Sequence, residues 1–594
     1  MVRPFHAIKD AWLHQSSRKV LSQATRLHAV RTQGALPPLW SQVSTMAAPC
    51  IHLVFLLCLV PATVASPHRN LRKSPVDIAA LDAAAPSPAD ASRPTTFFEV
   101  DRPLRPPPGS SGPCSTLLLS SSFAFTFTKP PATAAYSPPP CLTAAGGRAT
   151  AISLAVLEWH ATCRGVQFDR IFGVWLGGAE LLRGSTAEPL QNGVVWSVSK
   201  DITRYASLLA AGNSTLAVFV ENLVNSQYTG VYYANVTLHL YFRRTPTRPP
   251  PAVAPADLIV PMSRGLPLND GLWYKIQNAT DAVSTSVTLP SNTYRAVVEV
   301  FVSFHGDDEF WWTNQPGADA NGPFREVTVR VDGVLAGAAW PFPVIFTGGI
   351  NPLLWQPITG IGSFNLPTYD VEVTPLLGKM LDGKAHVFAF AVTNAVDVWY
   401  VDANLHLWLD PGSTATAAGL VSYVAPELAA ATTSSRTTAS RKVSATGWVK
   451  SSYGNITTNA TQTFAFDNTN AGETVNQTTV AHAGVAATGL AGVLYYSVQT
   501  RQSFPLFLDS GADQVTVTHG LEETTVAAGR WSSGPRYQSL RNTQRSSVRG
   551  ASWGIRQTYR YEATDGCYLR NVTSSVYSIV SDQSSEACVK GPLR

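Results

Sequence analysis

The chain has little charge. Asp, Glu, Lys and Arg make up 14% of its 594 residues, too few for helices faced with Glu and Lys. Hydrophobic residues at 45% argue against a disordered chain. The net charge of +5 comes with no dense Lys/Arg stripe, which argues against a nucleic-acid partner. There is no long amphipathic helical pattern and no C-terminal apolar tail for a lipid anchor. P-loop, dinucleotide and His-Glu-x-x-His signatures are absent. So is the Cys-x-x-Cys spacing of zinc sites. No cofactor and no metal is expected. Gly550-Ala551-Ser552-Trp553-Gly554 fits the nucleophile-elbow formula. An elbow needs a buried strand before it and a helix after it, whereas 546–549 is polar and 555–561 alternates like a strand.

What the chain does have is punctuation. Forty-two Pro and 42 Gly separate short runs rich in Val, Thr, Tyr, Phe and Trp, the signature of many strands joined by turns. Candidate strands are 123–127, 152–159, 171–176, 215–220, 231–242, 296–304, 326–331, 387–392, 398–409, 464–466, 492–499 and 514–519. Asp332-Gly333 marks a hairpin. The length suggests about three domains. The predicted fold is all-β: two packed antiparallel jelly-roll or β-sandwich domains, 95–243 and 257–411, plus a C-terminal β-rich domain, 445–594. A Pro-rich linker is expected at 244–256. A Ser/Thr/Ala linker, open to proteolytic processing into two chains, is expected at 412–444.

The N-terminal region reads as targeting sequence. Residues 46–65 have the form of a signal peptide, with an apolar stretch at 51–60 and small residues before a cleavage point after Ala65. That stretch is too short to span a bilayer, so no stable membrane anchor is expected. Residues 1–45 resemble a transit segment or an over-extended gene model, and 66–94 a flexible Pro/Ala-rich segment. Asn-x-Ser/Thr sequons at Asn213, Asn235, Asn278, Asn455, Asn459, Asn476 and Asn571 support secretion and N-glycosylation. Beyond the signal, Cys567 and Cys588 form the natural local disulfide. Among Cys114, Cys141 and Cys163 one is left over, and the sequence does not choose which.

Three segments could carry chemistry. Phe168-Asp169-Arg170 opens an apolar strand, which would put Asp169 at a sandwich rim where loops carry function. A turn-closing Asp with a surface Arg partner is the plainer alternative. Glu221 ends the strand at 215–220, either exposed at the rim or partly desolvated with a raised pKa. The third segment, 303–312, sets Asp307, Asp308 and Glu309 between Gly306 and the aromatics Phe310, Trp311 and Trp312. Indole faces beside carboxylates suit sugar binding, and calcium ligation fits less well because it has no use for the rings.

These segments, in this order on two successive β domains, resemble the plant acidic peptide-N-glycanase (peptide-N-(N-acetyl-β-glucosaminyl)asparagine amidase A) family. Phe168-Asp169-Arg170 matches that family's Trp-Asp-Arg except for Phe. Val220-Glu221-Asn222-Leu223 is similar to its Thr-Glu-Thr-Trp, and Asp307-Asp308-Glu309-Phe310 to its Cys-Ala-Glu-Trp. The likeness covers about 95–411. It implies two packed eight-stranded jelly rolls and an amidase that releases N-linked glycans. It makes Asp169 the primary catalytic acid, with Glu309 contributing through water and Glu221 supporting the site and binding sugar. Leu223 replaces a family Trp, a second substrate-binding Arg has no counterpart in 351–367, and bacterial members lack anything like 445–594.

Amide hydrolysis needs an activated water, a stabilised oxyanion and a protonated leaving nitrogen. Asp169 and Glu309 could divide the acid and base work, with Arg170 offsetting charge or orienting substrate. Two facing carboxylates suggest an acidic optimum and an apoplastic or vacuolar setting. N-glycosylated peptides or denatured glycoproteins are the expected substrates. A secreted lectin, or a glycosidase using the same carboxylates, are the alternatives.

Overall fold

The structure is a computed structural model that describes residues 93–244, 254–317, 321–532 and 534–587. The expected signal peptide, the segments around it, most of the Pro-rich linker and Cys588 lie outside the described residues.

Five antiparallel sheets account for nearly all the regular structure, and they fall into three groups. In the first, a five-stranded sheet runs Thr95–Thr96, Val194–Asp201, Ile152–Arg164, Val231–Arg243 and Ser110–Phe123. Only the two-residue Thr95–Thr96 pairs in parallel. It faces a four-stranded sheet ordered Ala132–Tyr136, Ser214–Val220, Ile171–Leu176 and Ala179–Ser185. The layers meet where Trp159 stacks on Phe172 at 4.2 Å. Strict alternation in Val231–Arg243 buries Tyr232, Ala234, Val236, Leu238 and Leu240, as a strand with one covered face requires.

The second group repeats the plan. Leu258–Pro261, Trp399–Leu409, Thr293–Phe304 and Thr368–Glu372 form one sheet, with Tyr274–Ile276 also on Trp399–Leu409. Ala282–Val287, His386–Thr393, Glu326–Val331 and Val334–Ala339 form the other. The Asp332-Gly333 hairpin is present, with φ of 47° and 80°, the left-handed pair that an Asn/Asp-Gly turn supplies at low cost. The two groups are locked by buried polar bonds. Trp175 Nε1 donates to Asp402 Oδ2 at 2.8 Å, and Arg183, paired with Glu180, donates to the Tyr400 carbonyl at 2.6 Å.

The third group is one long meander of eleven strands, from Ala417–Val424 to Ser578–Ser585. It overturns the expected linker at 412–444. That segment holds Ala417–Val424, Ala429–Thr432 and the start of Arg436–Ser451, all hydrogen-bonded into the sheet. Most side chains of Ala417–Val424 and Ala429–Thr432 are exposed or half-buried, so these edge strands are held mainly by backbone pairing. A second correction concerns 123–127. The strand ends at Phe123, and the N–H groups of Thr126 and Phe127 turn to the carbonyl of Asn222.

Cys114 and Cys141 are disulfide-bonded and Cys163 is the free, buried one. Cys567 is disulfide-bonded. The asparagines of all seven sequons are exposed. In the C-terminal sheet Asn455, Asn459, Asn476 and Asn571 share the outer face, because their strand neighbours Ile456, Val475, Gln477 and Val572 point inward. Among the described residues no helix is long and apolar enough to cross a membrane. Gly550 and Ala551 form a hairpin turn between Arg536–Arg549 and Ser552–Ala563, with no helix after Ser552.

Candidate active site

Strand register brings three carboxylates to one end of the four-stranded sheet. Ile171–Leu176 is its third strand, and Asp169 and Arg170 immediately precede it. On one side Phe172 pairs with Val220, so Glu221 leaves its strand where Asp169 enters, and its N–H donates to the Ile171 carbonyl at 3.1 Å. On the other side Ile171 pairs with Ser185, which brings Thr186 and Glu188 alongside. The N–H of Arg170 donates to Thr186 Oγ1 and that of Thr186 to the Arg170 carbonyl, both at 2.8 Å. The Arg170 guanidinium is held by Gln167 Oε1 and lies 5.8 Å from the Tyr228 ring.

The second sandwich closes the site with two loops. One runs from Ile345 through Gly348-Gly349. A side chain at Gly348 would strike both the Glu188 and Asp169 carboxylates, its Cβ falling 2.7 Å from Asp169 Oδ1 and closer still to Glu188 Oε2. The two carboxylates therefore converge over one bare Cα. The other loop, 305–314, follows strand Thr293–Phe304. Its Phe310 ring would stand 3.3 Å from a Cβ on Gly349, so the residue after Glu309 packs on the same Gly-Gly step that seats Asp169. Glu309 is half-buried.

Glu221 joins this arrangement through the second sandwich. The Tyr400 hydroxyl donates to it at 3.3 Å, the Tyr400 ring lies 4.5 Å from His305, and His305 stacks on Phe346 at 5.5 Å. Burial pushes the Glu221 carboxyl above its ordinary value, and Asp270 adds to it. Lys275, Arg170 and the Tyr400 hydroxyl offset only part of the rise. Among the described residues no group of three or more His, Cys, Asp or Glu is arranged to hold a metal ion.

Comparison with known proteins now bears on the site. The family model described as peptide N-acetyl-beta-D-glucosaminyl asparaginase amidase A matches residues 103–426. A model of the PNGase A C-terminal domain matches 434–506. A relative from Prunus dulcis, peptide-N4-(N-acetyl-beta-glucosaminyl)asparagine amidase A, is 44% identical over 554 residues, covering 86% of this chain and 95% of that one. The chain belongs to the peptide-N-glycanase A family. The family match spans both halves of the site and continues into the C-terminal sheet. Among solved structures, PNGase F from Flavobacterium meningosepticum overlaps at TM-score 0.35 and 15% identity, covering 50% of this chain and 96% of that one. PNGF-II overlaps at TM-score 0.30 and 12% identity, covering 43% and 57%. Overlap that slight has no bearing on the site.

Within this family member the sequence-predicted residues divide. Asp169, Arg170 and Glu221 share one strand-end cluster, and Glu309 lies on the loop that packs against it. Trp311 and Trp312 do not form the expected sugar platform. They are 1% and 0% exposed, with no indole face open to a pyranose, and Trp311 packs edge-on to Phe304. Asp308 is also structural. Fully buried, it pairs with Arg325 and accepts from the Trp399 indole and the Val396 N–H.

Glu188, Tyr400, His305 and Gly348 escaped sequence reading. For Glu188 a signal existed. Gly177-Gly178, with φ of 58° and 87°, turns Ile171–Leu176 back into Ala179–Ser185. A hairpin read there would have carried 188 back beside 169.

Proposed function

We infer that this chain hydrolyses the β-aspartylglucosaminyl amide of N-linked glycopeptides, releasing the glycan and converting Asn to Asp. It is a hydrolase acting on a carbon–nitrogen bond, and its substrates are N-glycopeptides or glycoproteins. The observation that carries the residue assignment is the convergence of Asp169 and Glu188 over Gly348.

In this reading Asp169 removes a proton from water, and that water attacks the side-chain carbonyl carbon of the glycosylated Asn. Glu188 orients the same water. Arg170, steadied by Gln167, stabilises the oxyanion as the tetrahedral centre forms. Glu309 acts from the opposite loop through a second water, and the proton passes to the leaving glycosylamine nitrogen. The glycosylamine then loses ammonia in solution. Glu221, held by Tyr400, binds the proximal sugar.

The setting we propose is the secretory pathway, ending in the extracellular space, apoplast or vacuole. Seven exposed sequon asparagines support it, since glycans need outward-facing sites. A two-chain form would arise by a cut in the connection at 425–428, where Pro426 and Glu427 are exposed. The strands on both sides of that connection pair with Arg436–Ser451, so the fragments would stay together.

The test is glycopeptide hydrolysis at pH 5 in oxygen-18 water. The expected product is an aspartyl peptide with one heavy oxygen and an intact free glycan. Asp169→Asn should lower kcat by roughly 100-fold or more and leave glycopeptide binding largely intact. Normal turnover by Asp169→Asn would place the chemistry elsewhere. A sugar stub left on Asn would mean a glycosidase.

A further inference from the structure

Where the C-terminal sheet meets the two site loops, its inner face presents amide and indole donors. On strand Gly454–Asn470, Asn468 Nδ2 donates to the Trp312 carbonyl at 2.9 Å and Asn470 Nδ2 to that of Thr313 at 2.7 Å. These carbonyls follow Glu309 closely on its loop. Four and five strands along, Gln544 Nε2 donates to the Thr359 carbonyl at 3.1 Å and Trp553 Nε1 to that of Gln356 at 2.9 Å. These lie on the segment that continues from Gly348-Gly349. All four donors are buried. A loop carbonyl left unpaired in such a place costs free energy, so each bond selects one path for its loop.

We propose that the C-terminal sheet is a working wall of the active site: Asn468, Asn470, Gln544 and Trp553 position the two catalytic loops. The proposal rests on the Asp169 site described above.

Steady-state kinetics on one glycopeptide series tests it, with melting temperature measured for each full-length variant. A Trp553→Phe, Gln544→Met double variant should lose roughly tenfold in kcat, with KM within about twofold, because loop geometry changes and binding does not. Val485→Ala, a buried inward residue elsewhere on the sheet, calibrates general destabilisation and should lower the melting temperature without lowering kcat. The wall is refuted if the double variant keeps wild-type kcat and KM. It is equally refuted if Val485→Ala loses as much kcat at the same loss of melting temperature. Asp169→Asn in the same assay separates the two failures. If it stays active, the site itself is wrong; if it is dead while the double variant is normal, only the wall is wrong.

Discussion

The two sandwiches and the C-terminal sheet fill their interiors with different side chains. In the sandwiches the inward residues are mainly Val, Leu, Phe and Trp, the buried polar residues Glu180, Arg183, Glu299 and Asp402 lie where the two sandwiches meet, and at one strand end Asp169, Glu188 and Glu221 come together. In the C-terminal sheet the inward face mixes Phe464, Phe466 and Trp553 with Asn468, Asn470, Gln477, Asn542, Gln544 and Gln557. An apolar face packs on whatever shape-matched surface it meets. An amide face pairs only with particular backbone atoms. The sandwiches therefore supply stability and a rim for chemistry, while the C-terminal sheet supplies addresses for loops that have no strand partners of their own.

The largest effect should come at the rim. Gly348→Ala inserts a methyl group where the Asp169 and Glu188 carboxylates converge. A displacement of about 1 Å at a reacting group costs on the order of 100-fold, so kcat should fall by about that factor with little change in melting temperature. An active Gly348→Ala enzyme would show that the two carboxylates need not meet, and would remove the rim from its privileged place in the comparison.

On stability the largest effect should come at the seam. Arg441 of the C-terminal sheet pairs with the fully buried Glu326 of the second sandwich, whose oxygens also take the Trp340 indole. Arg441→Met strands that carboxylate in the interior. Breaking such a pair from one side costs about 3–5 kcal/mol, read as a lowered urea midpoint. Because the sheet has its polar face committed to the sandwich, unfolding should remain one transition. Two resolved transitions would make the sheet an independent domain and dissolve the contrast.

The same contrast explains what could be read from the sequence. Ile171–Leu176 and Glu326–Val331 coincide with their predicted ranges because each is bounded by turn residues and filled with apolar ones. Gly454–Asn470 was legible only as 464–466, since Phe464 and Phe466 are its apolar signal and Asn468 and Asn470 look like loop. Ala417–Val424 carried a short strand signal in Leu420, Val421, Tyr423 and Val424, but the Ser, Thr and Ala residues around it read as linker. At the site, Asp169, Glu221 and Glu309 stood out as carboxylates at the ends of apolar strands or in an acidic loop. Glu188 did not, because its nearness to Asp169 depends on hairpin register and not on local spacing. Trp311 and Trp312 misled for a related reason: composition shows that a ring is present, not whether its face is covered.

The effect confined to higher pH lies where all three groups meet. Glu99, from the segment entering the first sandwich, accepts the N–H groups of Gly362 at 2.5 Å and Phe364 at 3.1 Å. Beside it, Val100 and Ile358 cluster with Ile555, Tyr559 and Tyr561 of the C-terminal sheet. Burial, reinforced by Asp101, raises the Glu99 carboxyl to about 8 against the pull of those N–H groups. A carboxyl raised in the folded state binds a proton there that the unfolded chain releases. Its contribution to stability is thus complete below about pH 4.5 and is lost as the pH rises through about 8. Glu99→Gln fixes the neutral form. Urea midpoints for the two proteins should agree near pH 4.5 and diverge toward pH 8, with wild type the weaker by on the order of a few kcal/mol. A constant difference at every pH would mean that Glu99 is ionised throughout. The seam would then be held by charge, as at Glu326, and not by a neutral hydrogen-bonding face like the rest of the sheet.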